Sequence, residues 1–585
     1  MPKPALAPSL IAALALAAAA NGAFAQDWDP FGSFGSAARK RPEQRTAPPA
    51  RSAPDSAAPQ FLDRNSYSVD RAELAPVMAT DGSGLPFELW RGLDVRTLES
   101  LIAEIEIPPR SPALHALWKR LITSNVTPPT GGEADQHFMA LRLETLYRSG
   151  LLEEASRELA KMPTGNALVA TLAARNEIGL GKKDQGCATA RSGGAPAGGF
   201  PKHLLSQAAL ISGFCAAIAQ DAAGAGLAAD LAREEGMKDS AGVQALYAYS
   251  VGTKPAVAPD KEISLLDYRI LEAVGAAPDT ADILEQASPS LLAALALDPG
   301  TQPRLKLAAA EAAAHVNAIT PDELAAIYRA DAASSPARAL GAPDTAARRA
   351  QLFVAAEVER TPLKKVRLIR SFLDESRRAG LYLTALRMMA PASESVPLAV
   401  EIGWFAETGV EVALAAGDYE KARSWATFGA AVGGGGPGGL NHWLALIDIA
   451  DAQTRGDRDA SLQYVEILAV HGRLDPTLLH RLATVLDALE YNVPIPLWEE
   501  ASRTPQPAGG FLPATGVLSE LQDAARKREF GRTVLLTMKT LGPNGAEGAH
   551  MIALGDSIRA LKKAGLEPDA RRLGFEALFA SWPRA

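Results

Sequence analysis

Aromatic residues make up only 6 % of this 585-residue chain, and alternating runs of Val, Ile and Thr are scarce. Half-buried strands are built from such residues at a period of two, so their scarcity argues for an all-α protein. Histidine is sparse and scattered. The closest pair, His471 and His480, does not share a helix face in the way a spacing of four does. The two cysteines, Cys187 and Cys215, have no histidine pair beside them and make a poor metal site. No metal or other cofactor is expected. The formal net charge is -8, whereas nucleic-acid binding calls for clustered Lys and Arg, so that class of partner is not expected either.

Long apolar runs are missing as well. Leu10–Ala20 is too short for the roughly 20 residues of a spanning helix, and no later stretch reaches that length. Behind the basic start at Lys3 and ahead of the small-x-small site Ala23-Phe24-Ala25, the run reads as the core of a secretory signal. Residues 1–25 are therefore expected to be a cleaved signal peptide, which gives a periplasmic protein with no integral membrane segment. No cysteine lies near the site, so no lipid is expected there. Cleavage after Ala25 removes Lys3 and no acid, taking the formal net charge from -8 to -9. In an oxidising compartment an even cysteine count favours a Cys187–Cys215 disulfide over two buried thiols.

Residues 26–71, centred on APPARSAPDSAAPQ, lack apolar periodicity and read as a disordered Pro/Ala/Ser/Arg-rich tether. Arg39-Lys40-Arg41 read as solvated charges in it, and Asp27-Trp28-Asp29-Pro30-Phe31 as residues of the mature terminus rather than a docking motif. Folded structure is expected to begin between Ala72 and Leu89. Helical spacing follows at Val95, Leu98, Leu101, Ile102 and Ile105. A second helix should open with Ser111 as N-cap and Pro112 in the first helical position.

The stretch Phe138–Met162 reads as two amphipathic helices joined at Ser149-Gly150. Leu141, Leu143, Leu146 and Tyr147 form one apolar face, and Leu152, Ala155, Leu159 and Met162 the other. Such a hairpin cannot bury both faces alone, so it needs neighbours of its own kind. Its turn glycine and the small residue five positions on, Gly150 and Ala155, recur as Gly417 and Ala422 and as Gly565 and Ala570. Looser copies are Gly181/Gly186, Gln220/Ala225 and Gly456/Ser461. Small residues at these positions let two helices approach closely.

These segments resemble tetratricopeptide (TPR-like) and related helical-hairpin repeats, whose turn glycine and second-helix alanines fall at this offset. Ala577, seven residues after Ala570, matches a further small position. The resemblance implies an irregular α-solenoid of stacked helical hairpins, with residues 72–432 and 440–585 as two helical-repeat regions around a Gly-rich loop at 433–439. Between Ser240 and Val400 the turn rule fades, but Thr320-Pro321-Asp322-Glu323 is a capping box, and Ser288-Pro289 and Thr361-Pro362 look like similar starts. Phe579, Trp582 and Pro583 are read as exposed residues capping the last helix of the stack.

Catalytic patterns are weak. GGGGPGG at 433–439 lacks the Gly-Lys-Ser/Thr ending of a phosphate loop. Gly555-Asp556-Ser557 touches a hydrolase nucleophile motif but sits in a helical pattern. Glu153-Glu154, Glu234-Glu235 and Glu499-Glu500 are adjacent acids that diverge around a helix and read as solvated faces. The outline is similar to the helical superhelix of some periplasmic lytic transglycosylases. Their Glu-Ser pair followed by a Gly-Leu-Met-Gln-like segment is absent from the C-terminal third, and nothing suitable follows Glu394-Ser395. The expectation is a non-catalytic interaction scaffold for envelope proteins; the alternatives are an envelope (peptidoglycan) hydrolase with a scattered site and a small-ligand carrier.

Overall fold

The computed structural model describes residues 84–584 apart from 125–127, 130–133, 163–164, 195–199, 201, 238–239, 256–261, 279–280, 335–344, 434–438 and 454–459. The expected signal peptide, the tether, Gly456 and most of the Gly-rich loop lie outside the described residues. Among the described residues every regular element is a helix, and extended pairing occurs only as isolated bridges, Ile263–Ala287 and Phe511–Ala549 among them. The fold is all-α, built of stacked helical hairpins.

The turn at Gly150 shows why the hairpins form. Helix Ala134–Arg148 stops where Gly150 adopts φ +77°, a left-handed conformation that costs a glycine little. The Gly150 N–H donates to the Tyr147 carbonyl at 3.1 Å and the Leu151 N–H to that of Leu146 at 3.0 Å, the paired bonds of a Schellman ending. Helix Leu152–Leu159 then runs back. The same pair of bonds closes the turns at Gly181, Gln220, Gly417 and Gly565, and also at Gly380 and Arg528, which the spacing argument missed. Five residues beyond these turns stand Ala155, Gly186, Ala225, Ala385, Ala422, Thr533 and Ala570, all buried. At that offset the second helix first meets the one before it, and a large side chain would hold them apart.

Helix starts in the middle of the chain follow the predicted caps. Thr320 and Glu323 form the reciprocal box, at 2.7 Å from the Thr320 N–H and 3.2 Å from the Glu323 N–H. Ser288 caps helix Pro289–Leu297 through its hydroxyl. Helix Pro362–Arg378 is capped differently: the Glu359 carboxylate, rather than the Thr361 hydroxyl, accepts from the Arg360 and Thr361 N–H groups.

Cys187 and Cys215 are bonded, with Cα atoms 5.6 Å apart, and tie helix Lys183–Ser192 to helix Lys202–Ile218. They lie in or against a small core of their own built around Phe214, Leu246 and Ile270. The main core is larger and runs from Leu85 to Trp582 through both predicted repeat regions. The described residues form one compact unit.

The stack does not end in an exposed cap. Helix Glu567–Phe579 packs against helices Pro112–Thr123, His442–Ala450 and Pro476–Ala488. Phe579 and Trp582 are buried, Trp582 is stacked on His442, and His442 is hydrogen-bonded to the Pro583 carbonyl at 2.8 Å. The reading of these residues as exposed is corrected. The last helix is enclosed because the N-terminal helices fold over it: Arg120 pairs with Asp569, and the Ala113 N–H donates to Glu576 at 2.8 Å. The N-terminal segment is also held by Leu89, whose carbonyl accepts from Gly531, and by Asn317, whose amide donates to the Pro109 and Arg110 carbonyls.

Candidate functional site

An open groove of about 1410 Å³ runs along the first half of the stack. Its walls come from the Glu106–Arg110 loop, from the helix ends around Tyr147, Arg175, Gln207 and Asp267, and from the first turns after Thr345.

The charges in this groove are mostly paired. The Arg175 guanidinium lies 3.9 Å from the Tyr147 ring centroid, pairs with Glu144 at 2.7 Å and donates to Gln207. Arg349 grips both oxygens of Glu311 at 2.8 and 2.5 Å, and the Tyr328 hydroxyl donates to the same carboxylate at 2.6 Å. Asp267 accepts from the Ser264 hydroxyl at 2.6 Å, the Gly242 N–H at 2.8 Å and the Ser240 hydroxyl, so it fastens the starts of helices Ala241–Ser250 and Leu265–Ala273. Arg110 and Glu106 pair at 2.9 Å on the rim. Among the described residues the buried Tyr147 hydroxyl and Arg175 Nε have no hydrogen-bond partner. Burial pushes the Tyr147 phenol above its ordinary range, which keeps it a neutral donor.

A second cleft, of about 360 Å³, lies between Arg377, Tyr382, Glu547, Glu576 and Arg584. Burial lifts Glu576 to about 7; the charge of Glu547 adds to this, while Ser111, the Ala113 N–H and Arg387 oppose it. Tyr382 and Arg584 both reach Glu411, at 2.6 and 2.8 Å.

The residues singled out in the sequence are not gathered at either place as a reactive set. Gly150, Gly417 and Gly565 are left-handed turn residues, and Ala155, Ala422 and Ala570 are buried beneath them. Ser557 is buried inside helix Met551–Ala564, and Asp556 beside it pairs with Arg559. His471 and His480 hydrogen-bond to separate backbone carbonyls. Glu154 pairs with Lys119, Glu500 with Arg503, and Ser395 accepts from Lys365. Among the described residues no group of three His, Cys, Asp or Glu could hold a metal ion, and no helix is long and apolar enough to cross a membrane.

The groove residues were missed because each stands alone in sequence. A signal did exist: Glu311 interrupts the run LAAAEAAAH, Arg175-Asn176 interrupts LVATLAARNEIGL, and Glu576 interrupts LGFEALF. A charge inside an apolar helical run must be paired or used. No family model, no curated protein and no solved structure matches the chain.

Proposed function

We propose that the chain is an exported, non-catalytic binding protein of a bacterial envelope, related in construction to tetratricopeptide repeats, that holds an extended polypeptide segment of an envelope protein in its large groove. The groove itself carries this reading. At about 1410 Å³ it exceeds the roughly 300–1,000 Å³ of ordinary small-molecule pockets, which favours a chain segment over a small-ligand carrier. Its lining carries both acids and bases as well as neutral polar groups, so it suits a ligand with donors and acceptors. Periplasmic location rests on the residues 1–25 signal.

The test is in-cell cross-linking from a photoreactive residue placed at Arg148 or Glu285, both in the groove, with exposed Glu499 on helix Ile495–Arg503, which lines neither cleft, as control. One envelope protein captured reproducibly from the groove positions and absent from the control is the expected result. Equal capture from all three, or none, would remove the groove from the function.

A second reading has one observation behind it. Glu576, a buried carboxyl held near neutral pH in a cleft beside Glu547, has the protonation behaviour of a general acid. Its engagement with Ser111 and the Ala113 N–H favours a helix-capping role instead. Turnover of purified peptidoglycan, abolished by Glu576→Gln, would establish the hydrolase reading.

A further inference from the structure

Helix Pro362–Arg378 carries its charges unevenly. Arg377 and Arg378 at its end pair with Glu411 and Glu375. Arg360, just before the helix, and Lys364, Arg367 and Arg370 on its exposed side form no ion pair among the described residues. Around these cations stand Val358, Leu363, Leu398, Val400 and Trp404, large apolar side chains between 38 % and 71 % exposed.

A short chain link and two contacts bring them together. The three-residue link after Val358 sets it beside Leu363. Lys365 donates to Ser395 at 2.9 Å and so brings up the segment bearing Leu398 and Val400. The Arg370 guanidinium lies 5.7 Å from the Trp404 ring centroid. Acids are present at Glu359, Asp374, Glu394 and Glu401; Glu359 is engaged in capping the helix, and the exposed Asp374, on the face of Arg367 and Arg370, forms no ion pair with them among the described residues, so the face stays net basic. None of these apolar residues lines either cleft.

We propose that this patch docks the protein peripherally on an anionic phospholipid surface, Trp404, Val400 and Leu363 entering the interface and Arg360, Lys364, Arg367 and Arg370 meeting lipid phosphates. Apolar residues ringed by unpaired cations supply the two forces that interfacial binding needs, partial insertion and attraction to anionic headgroups. Long basic side chains reach headgroups while their stems stay on the apolar surface, and Trp prefers that boundary. The chain as a whole is acidic, so attraction to an anionic surface must come from a local patch. Docking there leaves the groove open: helix Ala346–Val358 gives Ala346 and Arg349 to the groove and Val358 to the patch, roughly 13 Å apart along its axis.

The test is co-sedimentation of the chain from Gln26 onward with vesicles of 30 % phosphatidylglycerol in phosphatidylcholine, and with phosphatidylcholine alone. Binding to the anionic vesicles that falls at 0.5 M salt is expected, with little binding to the neutral ones. Arg367→Glu with Arg370→Glu should weaken it by at least about 25-fold, taking about 1 kcal/mol, or fivefold, for each cation at the surface. Val400→Glu, at a site too exposed to endanger folding, should weaken it as well. No preference for anionic vesicles would overturn the proposal. So would binding that survives both changes, which would place the contact elsewhere, as at Arg39-Lys40-Arg41. Capture of an acidic protein through the patch without any vesicle binding would also overturn it.

Discussion

Replacing Glu576 by Gln should stabilise the protein at pH 8 and leave it nearly unchanged at pH 4.5. The carboxyl accepts from the Ala113 N–H at 2.8 Å, bonds with Ser111, and faces Glu547 and Arg387. Burial holds its pKa at about 7 against an ordinary 4.5. Between those values the folded protein keeps a proton that the unfolded chain has released, so stability falls as pH rises from 4.5 to 7 and is level above. At 1.36 kcal/mol for each pH unit, the loss across this window is about 3 kcal/mol. Gln keeps the carbonyl oxygen for Ala113 and carries no charge, so it should recover most of that.

His115, on the helix that Glu576 caps, works in the opposite direction. Burial first, then Lys119 and Arg387, lower its pKa to about 4 from 6.5, with Glu154 opposing; its Nδ1 is enclosed without a partner. The folded state therefore binds fewer protons than the unfolded one between pH 4 and 6.5, and stability falls as pH drops through that window. The two slopes oppose each other from pH 4.5 to 6.5. Glu576→Gln should unmask a profile that rises with pH up to 6.5. The assay is the urea midpoint by far-UV circular dichroism at half-unit steps from pH 4.5 to 8, read as variant minus parent. A difference that stays constant across this range, or a variant less stable at pH 8, would refute the reasoning.

Gly150→Ala should cost about 1–3 kcal/mol, because the left-handed φ is strained and the new Cβ would lie 3.1 Å from Ala293, Ala318 and the Pro289 carbonyl. Gly417→Ala has the same φ problem but open space around it, so its loss should be about 1 kcal/mol; thermal melts of the pair give the comparison, and equal losses would count against the wedge at Gly150. Changing Cys187 and Cys215 to Ser opens a 28-residue loop and should cost about 3–4 kcal/mol on the loop-entropy account, visible as faster proteolysis within the Ala167–Ser250 hairpins before the rest. Trp582→Ala should cost about 3–5 kcal/mol, as for a core aromatic, where an exposed cap would cost almost nothing; chemical denaturation separates the two.

The hairpins were legible because the turn and the packing beneath it fall within five residues of each other. Gly150 and Ala155 report one local geometry, and the same geometry is built at Gly417, Gly565, Gly181 and Gln220. At Arg528 the left-handed residue is not glycine and the small residue is Thr533, so identical backbone physics left no glycine–alanine mark. The groove could not be read in this way. Arg349 and Glu311 are 38 residues apart, and Arg175 and Gln207 are 32; such pairs depend on how layers stack, which periodicity does not encode. The enclosure of Trp582 was hidden for the same reason. An apolar residue at a chain end looks like an exposed cap until the opposite end is known to cover it.

That closure bears on the groove. The Glu106–Arg110 loop forms part of its wall and is held on one side by Asn317. On the other side it leads into the Pro112 helix, fixed to the last helix through Arg120–Asp569 and Glu576. Hairpins that touch only their neighbours would let a solenoid flex along its length. Here contacts spanning 449 and 463 residues tie the first helices to the last, so flexing must strain partly buried polar bonds. Widening the groove at this wall would pull on the same bonds. The C-terminal helix, although it lines no part of the groove, therefore supports the groove's shape through the Pro112 helix.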